Sequence, residues 1–397
     1  MTNKIMRFIV AHDLPLEDVR AVFQSHFPFA SARDGEISYE NSENGSLLRT
    51  RYSKKTGSIT SLEIICENIK EVETDIVKSL SKLIIGNSKS VIIRRFIFSF
   101  GPIIGRYRFK DIFQISSLPD NAPKPTFTMG DHPLLLEFKC ESTGIHFVDQ
   151  ARFDRRFREV FLILSLVCWA KLSGSDNVAA HRWIMHLAED RIDYQYAQAG
   201  YGFYDPSWSP DSFSYDDLPP FRIMPFNDYF NRLGIDSNYE FDVSDLTDEL
   251  VDKLHSIDRE RSKLVFRSIH WLDRARSVWP LSHSLAYVAL TSAIETMAML
   301  EPTGSKQEFC PKCDQEIGIR ISQKFTDFLH KYAISEDQAF AKDLYNIRSR
   351  IIHGNRLLIA DIRMWDFAID KFAEDDKIQQ LLRLSKRAII NWLLHNV

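Results

Sequence analysis

Long apolar runs are missing from this sequence. The strongest, residues 160–170, is broken by Ser165 and is too short to span a bilayer, so no membrane partner is expected. Residues 1–7 lead into no apolar stretch with a small-residue cleavage site, which argues against a secretory leader. Cysteine is scarce and odd in number: Cys66, Cys140, Cys168, Cys310 and Cys313. That excludes a disulfide-framed fold and fits a reducing compartment, so a cytoplasmic location is expected. An excess of one charge is also missing, with 50 Lys and Arg against 54 Asp and Glu. The chain is no basic coat for nucleic acid, and any such contact must come from a local patch. Internal repeats and low-complexity tracts are absent, which excludes solenoids and arrays.

What is present is globular. Apolar residues make up 44% and charged residues 26% of 397, enough for two or three domains. Residues 1–150 read as a mixed α/β region: 58–66 and 90–98 are β-branched and aromatic, as strands prefer. Turn-forming clusters at 41–45 and 119–125 punctuate it. Residues 151–240 read as a helical segment, with helices at 152–172 and 177–199, and then an ordered connector rich in Pro, Asp and aromatics over 201–230. Residues 241–397 are helical nearly throughout. Helices are predicted at 245–258, 261–276, 281–300, 319–332, 336–352 and 376–395. The fold class is α+β, with the main boundary near residue 240.

The segment Asp343-Leu344-Tyr345-Asn346-Ile347-Arg348-Ser349-Arg350-Ile351-Ile352-His353-Gly354 carries the strongest chemical signal. Phe340, Leu344, Ile347 and Ile351 recur at helical spacing and define one buried face, and Gly354 ends the helix. Arg348 supplies a permanent planar cation, and His353 a proton carrier near neutral pH, at the terminus whose dipole favours the protonated ring. A phosphodiester needs both. Five helical steps set the two about 140° apart, so they share no face of a regular helix. Either the last turn is distorted, or two copies of the helix meet across a two-fold axis; the pair is the better expectation. Arg followed by His after four to six intervening residues also occurs at Arg7–His12, Arg20–His26 and Arg276–His283, so the spacing alone means little.

The surrounding run resembles the signature of the Apea-like branch of the HEPN superfamily, a helix reading roughly Leu-Tyr-x-hydrophobic-Arg-Ser-x-hydrophobic-hydrophobic-His-Gly. The upstream helix around Ala293-Ile294-Glu295-Thr296-Met297 resembles the family's preceding helix and its lone carboxylate. The resemblance covers about residues 245–397. It implies an all-α HEPN-type bundle that forms a homodimer or higher oligomer through the motif helix. The implied activity is a metal-independent endoribonuclease of toxin, abortive-infection or anti-phage type acting on RNA, tRNA among the candidates, with no catalytic cofactor. Arg348 and His353 would be catalytic, with Glu295 fixing the guanidinium, and Asn346, Ser349, Arg350 and Asn355 would add phosphate contacts. Residues 1–150 would then sense a phage-derived or cellular trigger. From the residues alone, Glu295 sits in an apolar helix, and burying it unpaired would be costly, which makes Arg348 its best partner.

Other features have plainer readings beside the functional ones. Cys310-Pro311-Lys312-Cys313 is half of a zinc-ribbon site, to be completed by His330 or by the same turn of a second copy; otherwise it is a free dithiol. His181, His186, Glu189 and Asp190 resemble a metal cluster, but their spacing favours packing and surface roles. Arg152, Arg155, Arg156 and Arg158 form a basic turn that either docks phosphates or makes salt bridges. The rival functions are a non-catalytic dimerisation module that binds a nucleotide or protein, and a DNA-binding regulator. The second is disfavoured because no recognition helix of basic character is identified.

Overall fold

The computed structural model describes residues 4–53, 58–84, 88–122, 131–174, 186–188, 191–193, 203, 205–231, 242–301, 308–309, 316–317, 321–333, 341–362 and 369–397. In chain order the elements begin with α1 (Lys4–Ala11), α2 (Leu16–His26), β1 (Phe29–Arg33), β2 (Glu36–Asn41), β3 (Ser46–Tyr52), β4 (Ile59–Ile65) and α3 (Ile69–Ile84). There follow β5 (Lys89–Phe100), β6 (Arg106–Phe109), β7 (Phe113–Ser117), β8 (Asp131–Ser142), α4 (His146–Val167), β9 (Leu172–Gly174), β10 (His186–Ala188) and β11 (Arg191–Asp193). Next come β12 (Arg222–Met224), α5 (Phe226–Asn231), β13 (Asp242–Ser244), α6 (Thr247–Ser256), α7 (Arg259–Val278) and α8 (His283–Ala298). The last are β14 (Glu308–Phe309), β15 (Glu316–Ile317), α9 (Ile321–Tyr332), α10 (Ala341–Ile352), α11 (Ile359–Ile362) and α12 (Ile369–Asn396). Helices and strands are both well represented, as an α+β chain requires. Among the described residues no helix is long and apolar enough to cross a membrane.

The chain forms two compact units that are not consecutive stretches of sequence. One comprises Met1–Arg94, Glu137–Arg158 and Asp205–Ser214; the other comprises Arg95–Leu136, Glu159–Tyr204 and Tyr215–Val397. A division at residues 150 and 240 follows the texture of the sequence, whereas spatial contacts group it differently.

In the first unit β1 to β4 form an antiparallel meander in sequence order. The β1–β2 turn places Asp34 and Gly35 at φ 44° and 80°, the left-handed pair that a tight hairpin requires. Alternate residues of β3 are buried, Ser46, Leu48 and Thr50, so one face of the meander is covered. The core there is built from Val19, Val22, Phe23, Tyr39, Leu48 and Ile76. Two of the four clustered arginines are spent on carboxylates. Arg152 holds the buried Asp18 through Nε at 2.9 Å and Nη2 at 2.7 Å, and Arg155 meets Glu17 at 2.9 Å. The salt-bridge reading therefore holds for these two. Part of the connector is likewise fixed: the buried Glu137 accepts from Arg94 at 2.9 Å and from the Ser214 hydroxyl at 2.8 Å. Arg94 also lies 5.5 Å from the Trp208 ring centroid.

In the second unit the helices predicted from residue 245 onward form where the structure describes them, and the last, predicted at 376–395, begins seven residues earlier at Ile369. Asp258 caps α7 by accepting from the backbone N–H groups of Glu260 and Arg261, and Ser282 caps α8 by accepting from Leu285. α8 is apolar nearly all round, which suits a helix enclosed by others, and it packs against α7, α9, α10 and α12. Ser268 ties α7 to α8 by donating to the Ala293 carbonyl at 2.8 Å. The buried Lys386 of α12 donates to the carbonyls of Leu166 and Cys168, closing the end of α4.

The helix predicted at 177–199 is corrected where the structure describes it. His186–Ala188 and Arg191–Asp193 form a two-stranded antiparallel ladder, with His186 opposite Asp193. Leu187 is paired in register with Ile192. His181, Glu189 and Asp190 lie outside the described residues, as do Phe340, Cys310 and Cys313.

Candidate active site

α10 begins at Ala341 and rests its half-buried Leu344, Ile347 and Ile351 toward α8 and α9. Tyr287 of α8 donates its hydroxyl to the Leu344 carbonyl at 3.2 Å, and Phe325 of α9 packs its ring 5.5 Å from that of Tyr345. These contacts fix which side of α10 faces inward.

The C-terminus of α10 is regular. The His353 N–H donates to Ser349 at 3.1 Å, continuing the i to i−4 ladder. The Gly354 N–H then donates to Ile351 at 3.0 Å and the Asn355 N–H to Arg350 at 2.9 Å, with Gly354 at φ 72°. That paired closure through a left-handed residue is a Schellman motif, and it makes His353 the C-cap. The alternative of a distorted last turn is thereby removed. Asn346, Arg350 and His353 are exposed together on the outer side of α10, Ser349 is half-buried, and Asn355 is exposed just past the turn.

Arg348 points the other way. Its Nη2 donates to Oε2 of Glu295 at 2.9 Å, with side-chain exposures of 22% and 11%. The pair uses one hydrogen bond where a guanidinium can offer two. Glu295 Oε1 and Arg348 Nε are both buried and make no hydrogen bond. The guanidinium also sits 5.7 Å from the Tyr345 ring centroid. Burial pushes the Glu295 carboxyl above its ordinary value, and the charge and hydrogen bond of Arg348 offset this only in part. The structure thus brings Glu295 and Arg348 into contact and leaves His353 on a different face of the same helix.

The chain beyond Gly354 is latched to the start of α8, a feature with no counterpart in the sequence reading. The Leu358 N–H donates to Ser284 Oγ at 2.9 Å. Asp361 accepts from the N–H groups of His283 at 2.7 Å and Ser284 at 2.8 Å, and from Ser282 Oγ at 3.0 Å. His283 in turn meets Asp375 through Nε2, while Arg276 donates to the Trp169 carbonyl at 2.6 Å. The Arg276–His283 spacing match is therefore two separate structural contacts. Asp361, 78 residues from His283, carries no local signal in the sequence.

Asp361→Ala is expected to lower the stability of the protein by about 1–2 kcal/mol, read as a shifted urea midpoint, because two helix-start N–H groups lose their acceptor. Burial works to raise the Asp361 carboxyl, yet hydrogen bonds from Ser284, His283 and Ser282 prevail and hold it below its ordinary 3.8. A depressed carboxylate stabilises above its unfolded pKa and loses that contribution as pH falls through the folded one. The gap between wild type and variant should therefore narrow only on strong acidification. An unchanged gap down to about pH 2 would show the cap contributes nothing through its charge.

Among the described residues no group of three or more His, Cys, Asp or Glu side chains is placed to hold a metal ion, and the Cys310–Cys313 half-site lies outside them. Comparison of the chain with protein-family models, with curated proteins and with solved structures gives no match.

Proposed function

We propose that this chain is an endoribonuclease of the HEPN type, working without a catalytic metal as part of a toxin-like or anti-phage response. The observation that carries the reading is the pairing of Arg348 with a lone carboxylate in an apolar helix, one turn from an exposed histidine at the helix terminus. RNA supplies its own nucleophile. His353 takes the proton from a 2′-hydroxyl as that oxygen attacks the adjacent phosphorus, or gives one to the departing 5′-oxygen. Arg348, oriented by Glu295, meets the charge that builds on the phosphoryl oxygens. The products are a 2′,3′-cyclic phosphate and a 5′-hydroxyl. Asn346, Ser349, Arg350 and Asn355 hold flanking phosphates, and the first of the two units restrains or triggers the enzyme.

Because Arg348 and His353 diverge on a regular helix, the working site is formed by two copies meeting at α10. Ile352 and Leu357, 47% and 55% exposed beside the terminus, are the apolar groups a second copy would cover. Purified protein is incubated with tRNA and messenger RNA in the presence of chelator. Specific cuts bearing cyclic phosphate ends support the reading, and intact RNA under all trigger conditions tried overturns it. One observation favours a second reading, a non-catalytic dimerisation module: Arg348 is already paired with a largely buried carboxylate, as a purely structural arginine would be. In that case the protein dimerises and RNA stays whole.

A further inference from the structure

The whole molecule carries a net charge of −4, yet one face of α7 is strongly basic. Arg259, Lys263, Arg267, His270, Trp271 and Arg274 are all exposed. At 100° per residue they fall within a sector of about 120°, and from Arg259 to Arg274 they extend about 22 Å along the axis. The opposite face of α7, with Val265, Ser268, Ile269 and Leu272, is buried, and Ser268 bonds to α8.

Acidic residues within this stretch do little to neutralise the stripe. Asp258 accepts from the backbone as the N-cap, and Asp273 is 8% exposed, faces Ser165, and approaches Arg274 only to 4.0 Å. Glu260 is the exception, since it holds Lys263 at 2.6 Å. Arg259 and Arg267 are therefore the cations left to meet an anion, together with Arg274, whose contact with Asp273 is a long 4.0 Å. The pKa of His270 is lowered, first by partial burial of its ring and second by repulsion from Arg274, with Asp273 offsetting in part. A bound polyanion would relieve that repulsion. Trp271, 38% exposed on the same sector, gives the stripe a flat aromatic surface.

We propose that this face of α7 is a binding track for single-stranded RNA: Arg259, Arg267 and Arg274 follow the phosphates and Trp271 stacks a base. Single strands are favoured over duplexes because a stacked base must be unpaired. The choice of RNA over DNA rests on the ribonuclease reading; the track itself does not.

The test uses the full chain and a fluorescent 2′-O-methyl oligonucleotide of about 12 nucleotides, which lacks the attacking hydroxyl and cannot be cut. Arms with single-stranded DNA and with duplex RNA of the same sequence are run in parallel. Arg267→Glu with Arg274→Glu should weaken binding more than tenfold and flatten the salt dependence by about 1.4 in log–log slope, the change expected when two phosphates of a single strand are no longer neutralised. Trp271→Ala should weaken it about fivefold to a hundredfold. A charge-matched control, Lys82→Glu with Lys377→Glu at exposed positions, should leave affinity within about twofold.

Equal weakening by the control overturns the proposal, as does an unchanged salt slope in the α7 variant. Duplex RNA binding as tightly as single strands overturns the single-strand assignment, and absence of any oligonucleotide binding at low salt overturns the track altogether. Binding of the methylated strand by a protein that leaves ordinary RNA intact under every trigger condition tried would remove the ribonuclease reading while leaving the track in place.

Discussion

Replacing His353 by alanine is expected to lower RNA cleavage by about 10²–10⁴-fold while leaving the protein folded. The side chain is exposed, and the backbone N–H of residue 353 donates to Ser349 whatever side chain it carries. The Schellman closure depends on Gly354, not on the imidazole, so the loss should appear in turnover and not in the urea midpoint. Arg348→Ala should be at least as inactive but also less stable, by about 1–3 kcal/mol, since it strands a carboxylate that burial already disfavours. The sign with pH follows. A carboxyl whose folded pKa is raised favours the native state in its protonated form, so the stability of Arg348→Ala should fall further as pH rises through that pKa. Arg348→Lys restores a charge but not the planar fork, and should recover stability more than activity. Wild-type cutting by His353→Ala, with the same product ends, would remove His353 from the chemistry.

The parts of this arrangement legible in the sequence are those set by local rules. The 3.6-residue recurrence of Leu344, Ile347 and Ile351 marks a helix, and Gly354 marks its end; α10 closes at that residue with the backbone geometry a left-handed glycine permits. The pairing of Glu295 with Arg348 was legible for a different reason. A lone acid among Ala, Ile, Thr and Met must find a cation or protonate, and the motif helix supplies Arg348.

What was not legible is whatever depends on distant packing. Asp361 at the start of α8 and Glu137 beneath Ser214 look like ordinary surface acids in the linear order. The basic stripe of α7 is hidden for a related reason. Asp258, Glu260 and Asp273 are interspersed with its arginines, and only the fold shows that one is a cap and another is turned inward. The stretch 186–193 misled because three-residue pieces with one central apolar residue, Leu187 and Ile192, fit either period. Grouping of the two units was hidden as well, since the chain enters each of them three times.

Mixing the two inactive variants is expected to restore activity. On a regular α10, Arg348 faces Glu295 and His353 faces outward, about 140° apart, so one copy of the helix does not present both to one phosphate. If two copies meet across a two-fold axis, each site takes its arginine from one chain and its histidine from the other. A heterodimer of Arg348→Ala with His353→Ala then has one site lacking both groups and one site with both intact. Random assortment makes half the dimers mixed, each with one of two sites working, so activity of the mixture should return to about a quarter of wild type from a background at least a hundredfold lower. The two variants carry different affinity tags and are refolded together. The doubly tagged fraction, in which every dimer is mixed, should then reach about half of wild-type RNA cleavage, with its size checked by light scattering. Activity no greater than the sum of the separate variants would mean that each site is built within one chain, and the paired arrangement would be wrong. A wild-type protein that cleaves RNA as a monomer would exclude the pairing by a second route, because the geometry of α10 leaves a solitary chain without a complete site.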